Sequence, residues 1–264
     1  MTGNMGRACQ SVIVTGGGGM IGRATVERLA AAGCDVLAVD VNAATLAEIE
    51  QTSRTGGRVS TFVADVVDPV QVEAATQKAL TLFGSIDGLV NVAGGAGPTE
   101  AFEIESIETS VWDHVIALNI KSTFLFCRAV IPHMRREGFG RVVVFASSAA
   151  RGSKGPPTTV TARLPYATAK SALIGFTSQL AKDVAVDGIT VNALAPGLIM
   201  GEAGTRIRDR FDRLSNEMRS GMLDGIPVGR SGTGDEVAAL VEFLLRGESG
   251  FISGATIPID GGST

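Results

Sequence analysis

The chain has 264 residues, a formal net charge of −4, 45% hydrophobic residues and 19% charged ones. Such a length and apolar content suit one large domain with a sizeable core, and they exclude a disordered or low-complexity chain. The acidic balance leaves no basic footprint for nucleic acid or an anionic membrane, and no uninterrupted apolar run approaches the ~18 residues of a spanning helix. The first ten residues, MTGNMGRACQ, lack the apolar stretch of a signal peptide. Cys9, Cys34 and Cys127 are odd in number, widely spaced and without a CxxC, so they read as reduced, buried thiols. The expectation is a cytoplasmic protein that binds neither nucleic acid nor membrane.

In chain order, short Val- and Ile-rich runs fall at Ser11–Thr15, Asp35–Val39, Val59–Val63, Ile86–Val92, Arg141–Ala146, Ile189–Leu194 and Thr256–Ile259. Most lack an apolar/polar alternation, which is how strands covered on both faces read. Helical stretches lie between them. Ile21–Ala32 stops at Gly33, Pro69–Phe83 starts behind Asp68 and stops at Gly84, and Tyr166–Val186 is apolar on nearly every face. Asp235–Leu245 carries Val237, Leu240, Val241 and Leu244 at helical spacing. Alternation from end to end predicts one α/β domain over 1–264, doubly wound and Rossmann-like, with a seven-stranded parallel sheet flanked by helices. Two segments break the rhythm: a Gly/Pro/Thr-rich loop at 150–165, expected beside the substrate, and residues 198–230, expected as a lid. The lid carries Ile207, Phe211, Leu214 and Met218 on one helical face and arginines at 206, 208, 210, 213 and 219.

The chemistry-bearing residues follow strand ends. Thr15-Gly16-Gly17-Gly18-Gly19-Met20-Ile21-Gly22 joins the first strand to the first helix, where bare backbone and free N–H groups can approach a pyrophosphate. A plain turn is the alternative. Asp40 ends the second strand, placed to accept from ribose hydroxyls and to repel a 2′-phosphate, which favours NAD(H) over NADP(H); its alternative is a helix cap ahead of Asn42–Ser53. Asp65-Val66 and Asn91-Val92-Ala93-Gly94 end the third and fourth strands, as ordinary turns could. Ser147-Ser148 end the fifth, where a hydroxyl can hold a carbonyl oxygen or merely cap the strand. Asn119, among apolar neighbours in a helix, needs a hydrogen-bonding partner. Tyr166-Ala167-Thr168-Ala169-Lys170 sets phenol and ammonium on one helix face, where the cation lowers the phenol's pKa toward neutrality. Such a pair is also common on a solvated surface. His114 and His133 stand apart, and no cluster has metal-ligand spacing, so no metal is expected.

Taken jointly, these motifs closely resemble the short-chain dehydrogenase/reductase family across nearly the whole chain, including Pro196-Gly197 and the ending Phe251–Gly262. The resemblance implies Tyr166 as general acid/base, Ser148 as the carbonyl-positioning hydroxyl, Lys170 as tuner of Tyr166 and holder of the nicotinamide ribose, and Asn119 as holder of a relay water. It implies cofactor contacts at Gly16, Gly19, Met20, Ile21, Gly22, Asp40, Asp65, Val66, Asn91, Ala93, Gly94, Tyr166, Lys170, Pro196, Gly197 and Ile199. Three departures stand out: Met20 replaces a usual glycine, Ser148 and Tyr166 are about five residues further apart than in many relatives, and Gly201 stands where a threonine is common. Thr205 can replace that threonine only if the lid folds over the cofactor. The function implied is hydride transfer between NAD(H) and a small-molecule secondary alcohol or ketone. A 3-oxoacyl-thioester reductase, usually NADPH-preferring, is the alternative within the family, and a dinucleotide-binding protein without chemistry is the alternative outside it. By the same resemblance, helices 108–136 and 166–186 form a dimer face and the last strand a second one, giving a homodimer or homotetramer. The lid arginines either attract an anionic substrate or form a solvated face with Asp209, Asp212 and Glu217.

Overall fold

Runs of β-branched residues with no polar face belong in a sheet buried on both sides, and they form one here. The computed structural model describes residues 9–52, 56–97, 103–152, 160 and 162–264. Strands β1 (Ser11–Thr15), β2 (Asp35–Asp40), β3 (Val59–Val63), β4 (Gly88–Asn91), β5 (Gly140–Phe145), β6 (Ile189–Pro196) and β7 (Thr256–Ile259) make a seven-stranded sheet in the order β3-β2-β1-β4-β5-β6-β7. Every pairing is parallel. The order reverses between β1 and β4, which opens a crevice beyond their carboxyl ends.

Side chains alternate between two cores. Ile13, Leu37, Leu89, Val142 and Val144 face one, shared with Phe126, Val130 and Met134. Val12, Val14, Val36, Val90 and Val143 face the other, shared with Val26, Leu29 and Val241. Each fully buried aliphatic side chain contributes about 1.5–3 kcal/mol over its exposed state. The lack of alternation in the sequence thus has a physical cause: both strand faces are interior.

The helices are α1 (Met20–Ala31), α2 (Ala43–Thr52), α3 (Pro69–Phe83), α4 (Thr109–Ile116), α5 (Ser122–Glu137), α6 (Arg163–Val184), α7 (Arg206–Asp212), α8 (Asn216–Asp224) and α9 (Gly234–Leu245). Asp68 accepts from the Val70 and Gln71 N–H groups at the start of α3, and Gly84, at φ +81°, ends it. A capping box of Thr233 and Glu236 opens α9. A π-helical turn, Ala117–Lys121, joins α4 to α5 and contains Asn119. Such turns are rare and mark functional positions in many helices.

Four expectations change. The face Ile207–Phe211–Leu214–Met218 is not one helix, because Ser215 accepts from the Met218 N–H at 3.2 Å and restarts the helix as α8. Helix α6 begins at Arg163, with Pro165 in the first turn where a missing N–H costs nothing. It is buried along one side only; Ser171, Ala172, Gly175 and Gln179 are exposed. The continuous helical stretch Thr109–Glu137 is long and apolar enough by composition to cross a membrane, although no unbroken apolar run announces it. Half of its most apolar window is buried inside the protein, and a core helix passes the same test. Most of the 150–165 loop, at 153–159 and 161, lies outside the described residues, as do 98–102. Cys9, Cys34 and Cys127 are free and buried.

Candidate active site

Behind β1 the chain turns at Gly16, whose φ of +65° favours glycine. A Cβ at Gly22 would lie 2.0 Å from the Gly16 carbonyl oxygen, and one at Gly18 would lie 2.2 Å from Thr45 Oγ1. Glycine is therefore dictated where loop, helix and β2 edge meet. Helix α1 opens with no side-chain cap and no acidic residue in its first turn. Its leading N–H groups and positive dipole end are left for an anion from elsewhere. Asp40 Oδ2 accepts from the Gly18 N–H at 3.0 Å, and Oδ1 accepts from the Asn42 N–H at 3.0 Å. The cap of α2 is Asn42, whose Oδ1 accepts from Ala44 and Thr45, so Asp40 is not the helix cap of the alternative reading. A carboxylate fastened to the glycine loop, beside uncapped helix N–H groups, fits a dinucleotide: diphosphate at the helix, ribose hydroxyls at Asp40.

The loop after β4 packs on this cradle, with the Ala93 N–H donating to Thr15 Oγ1 at 3.2 Å. Asn119, fully buried in the π turn, holds the next peptide from both sides. Its Nδ2 donates to the Gly95 and Val115 carbonyls, both at 2.8 Å, and its Oδ1 accepts from the Gly95 N–H at 3.1 Å.

Helix α6 brings the phenol and ammonium to the same edge. Lys170 is 4% exposed and its Nζ donates to the Phe145 carbonyl, the last of β5, at 2.6 Å. The Nζ lies 5.6 Å from the centre of the Tyr166 ring. A Cβ at Gly94 would come within 3.2 Å of it and within 2.5 Å of Asn119 Oδ1. Burial pushes the Lys170 ammonium down to about 7. Burial also pushes the Tyr166 phenol above its usual value, while a Ser147 hydrogen bond and the Arg206 charge pull it down less strongly. The expected lowering of Tyr166 by Lys170 is not what these surroundings produce, because desolvation acts on both groups and weakens the ammonium itself.

Residues 18–264 match the family model described as enoyl-(acyl carrier protein) reductase. The chain belongs to the short-chain dehydrogenase/reductase family. It is 39% identical over 251 residues to the short-chain reductase protein NovJ of Streptomyces niveus, covering 95% of this chain and 92% of that one. It is 33% identical over 250 residues to the 3-oxoacyl-[acyl-carrier-protein] reductase FabG of Escherichia coli, covering 95% of each. Among solved structures, levodione reductase superposes with a TM-score of 0.87 at 33% identity, over 97% of this chain and 98% of that one. The short-chain reductases are oxidoreductases, and they bind a nicotinamide dinucleotide.

The remaining family positions stand as follows in this chain. Ser147, not Ser148, is the serine hydrogen-bonded to Tyr166; Ser148 opens the 3₁₀ turn Ser148–Arg151. Asp65 Oδ1 accepts from the Val67 N–H at 3.0 Å, and Val66 is buried. Asn91 points into the core, its Nδ2 3.8 Å from Cys127 Sγ. Gly197 passes so close to Asp260 that a Cβ would lie 2.8 Å from it, and the Gly197 N–H extends the pairing of Pro196 by donating to Ile259 at 3.0 Å. Ile199 is buried and bridges to Gly232. Met20 meets the lid: a Cβ at Gly201 would lie 2.6 Å from Met20 Sδ and 2.8 Å from Thr205 Oγ1. Thr205 therefore fills the space that a side chain at 201 would take. Two participants carry no distinguishing signal in the sequence. Ser147 stands beside an identical residue that the family pattern favours, and Arg206 is one of five arginines between residues 206 and 219 with nothing local to set it apart. An apolar cleft of about 240 Å³, lined by Ile104, Ile107, Thr109, Trp112 and Leu164, opens beside α6. None of the site's polar side chains lines it, so polar geometry rather than cavity size marks the site.

Proposed function

We propose that the protein is an NAD(H)-dependent oxidoreductase that interconverts a secondary alcohol and a ketone. The observation that carries this reading is the group of half-buried Ser147 and Tyr166 with buried Lys170 at the carboxyl edge of β5, beside the glycine cradle. A nicotinamide dinucleotide held by the Gly16–Gly22 loop and Asp40 supplies or accepts the hydride. Ser147 Oγ accepts from the Ala149 N–H at 3.2 Å, which leaves its own proton to be shared between the Tyr166 oxygen and the substrate oxygen. Tyr166, its pKa raised by burial, carries its proton at neutral pH and gives it to that oxygen as reduction proceeds. The Ser147 hydrogen bond and the Arg206 guanidinium stabilise the phenolate that remains. With its pKa near neutrality, Lys170 is suited to returning the proton. Asn119 is a positioning residue that fixes Gly95 and, through Gly94, the space around Lys170.

Asp40 favours NAD(H), since a 2′-phosphate would meet a carboxylate already bonded to the loop. Asp40→Ala is expected to shift the kcat/KM ratio toward NADPH; an unchanged ratio contradicts this assignment. The similarity to FabG supports a second reading, a 3-oxoacyl-thioester reductase, which a panel of free ketones and 3-oxoacyl thioesters distinguishes. We take the protein to be cytoplasmic, consistent with three free thiols, and a homodimer or homotetramer, consistent with exposed Trp112, Phe124 and Leu164. Sedimentation as a monomer alone contradicts the assembly. For the chemistry, Tyr166→Phe is expected to cost about 10²–10⁴ in turnover while leaving NADH binding unchanged. Retained turnover overturns the role of Tyr166.

A further inference from the structure

The five arginines between residues 206 and 219 differ in their surroundings. Arg208 Nε pairs with Asp212 at 2.8 Å, and Arg219 with the same carboxylate at 3.9 Å. Arg206, the first residue of α7, pairs with no carboxylate among the described residues. Its guanidinium instead extends over the crevice, with Nη2 3.1 Å from where a Cβ at Gly95 would stand. Gly95 is the peptide clamped by Asn119, so the arginine rests on a fixed surface that only a glycine leaves open. The same guanidinium is near enough to the Tyr166 phenol to favour its ionised form. A cation with no counter-charge among the described residues, held between the fixed loop and the proton donor, is a ready partner for an incoming anion. Its planar fork matches a carboxylate in particular.

We propose that Arg206 anchors a carboxylate on the substrate, a few bonds from the reacting carbonyl, so that the preferred substrates are oxo acids and the matching hydroxy acids. This inference rests on the oxidoreductase reading above, and it adds a substrate class. It also accounts for the lid: an anchor carried on α7 reaches the substrate only when α7 lies over the crevice, where Thr205 and Met20 pack around Gly201.

The test compares acetoacetate with its neutral methyl ester as substrates for the NADH-loaded protein, in the natural chain, Arg206→Gln, Arg206→Lys and Arg208→Gln. The natural chain is expected to favour acetoacetate in kcat/KM, and Arg206→Gln to reduce that preference by about thirtyfold through KM for acetoacetate, as for loss of a charge-assisted pair, while any fall in kcat from the lost phenolate partner is the same for both probes. Arg206→Lys should fall between them, and Arg208→Gln should keep the natural ratio. Equal preference in the natural chain and Arg206→Gln overturns the proposal. So does an equal loss for both probes with weakened NADH binding, which assigns the guanidinium to the dinucleotide diphosphate. If neither probe turns over, NADH fluorescence is titrated with acetoacetate and, separately, inorganic phosphate. Acetoacetate binding that depends on Arg206 supports the proposal, whereas no dependence, or dependence for phosphate alone, overturns it. Failure of the natural chain to bind NADH overturns the oxidoreductase reading itself, a result distinct from all of these.

Discussion

Two cations are buried at opposite ends of the same strand, and they are treated in opposite ways. Arg141, at the start of β5, is 2% exposed. Its Nη1 donates to the Gly140 and Gly188 carbonyls at 2.8 and 3.2 Å, its Nε donates to the Arg246 carbonyl at 3.3 Å, and its guanidinium stacks 4.3 Å from the centre of the Phe139 ring. Lys170, at the far end, donates to one acceptor among the described residues, the Phe145 carbonyl, from an ammonium with three protons. Burial drives its pKa down to about 7. The guanidinium cannot be discharged at any accessible pH and is given enough acceptors to stay charged. The amine is left short of partners and so becomes able to lose a proton near neutrality. The first arrangement ties strand ends together; the second, in the function proposed above, holds a group ready for proton transfer, at a cost in stability.

The largest expected effect breaks the second arrangement. Lys170→Met is expected to lower turnover by about a thousandfold, as for loss of an acid–base partner, while the folded protein at pH 7 is as stable as the natural one or more so. Steady-state kinetics beside urea unfolding checks both halves, and a clear loss of stability would show that the ammonium is a structural group after all. Arg141→Met should do the reverse. It takes a donor from three carbonyls, of which that of Arg246 keeps Ser249, and is expected to cost about 3 kcal/mol, with kcat per folded molecule unchanged. A fall in kcat without a fall in stability would erase the contrast.

The smallest effect concerns pH. The folded value of Lys170, about 7, lies below the unfolded value of about 10.4. Between these limits the unfolded chain binds the extra proton, so stability rises with pH. The burial cost is complete below pH 7 and fades above it, by at most about 1.4 kcal/mol per pH unit. The stability difference between the natural chain and Lys170→Met should therefore shrink from pH 7 to pH 9. A difference constant over that range contradicts the shifted value.

Much of this contrast is legible in the sequence, and unevenly so. The strands can be read because interior strands in a doubly wound sheet are apolar throughout, and Asp68 with Gly84 bounds α3 by local chemistry alone. The Tyr166–Lys170 spacing, on a helix, by itself puts both groups on one face. Which serine meets Tyr166 depends on the extended backbone at Ser147, which a pair of identical residues conceals. The lid break at Ser215 is hidden by an apolar face that runs through both helices. Arg206 stands out only where β4, α6 and α7 come together, since residues 95, 166 and 206 are distant in sequence. The buried state of Arg141 has no local signal, because two of its acceptors, Gly188 and Arg246, are distant in sequence.

The chain has only five lysines, which makes the central claim directly measurable. Lysine labelled at the side chain, followed by nuclear magnetic resonance across pH 5 to 11 in the natural chain and in Lys170→Met, reports each amine's titration. The account predicts one lysine titrating near pH 7, absent from the variant, with the others near their ordinary value. Five lysines all titrating near that ordinary value would contradict it.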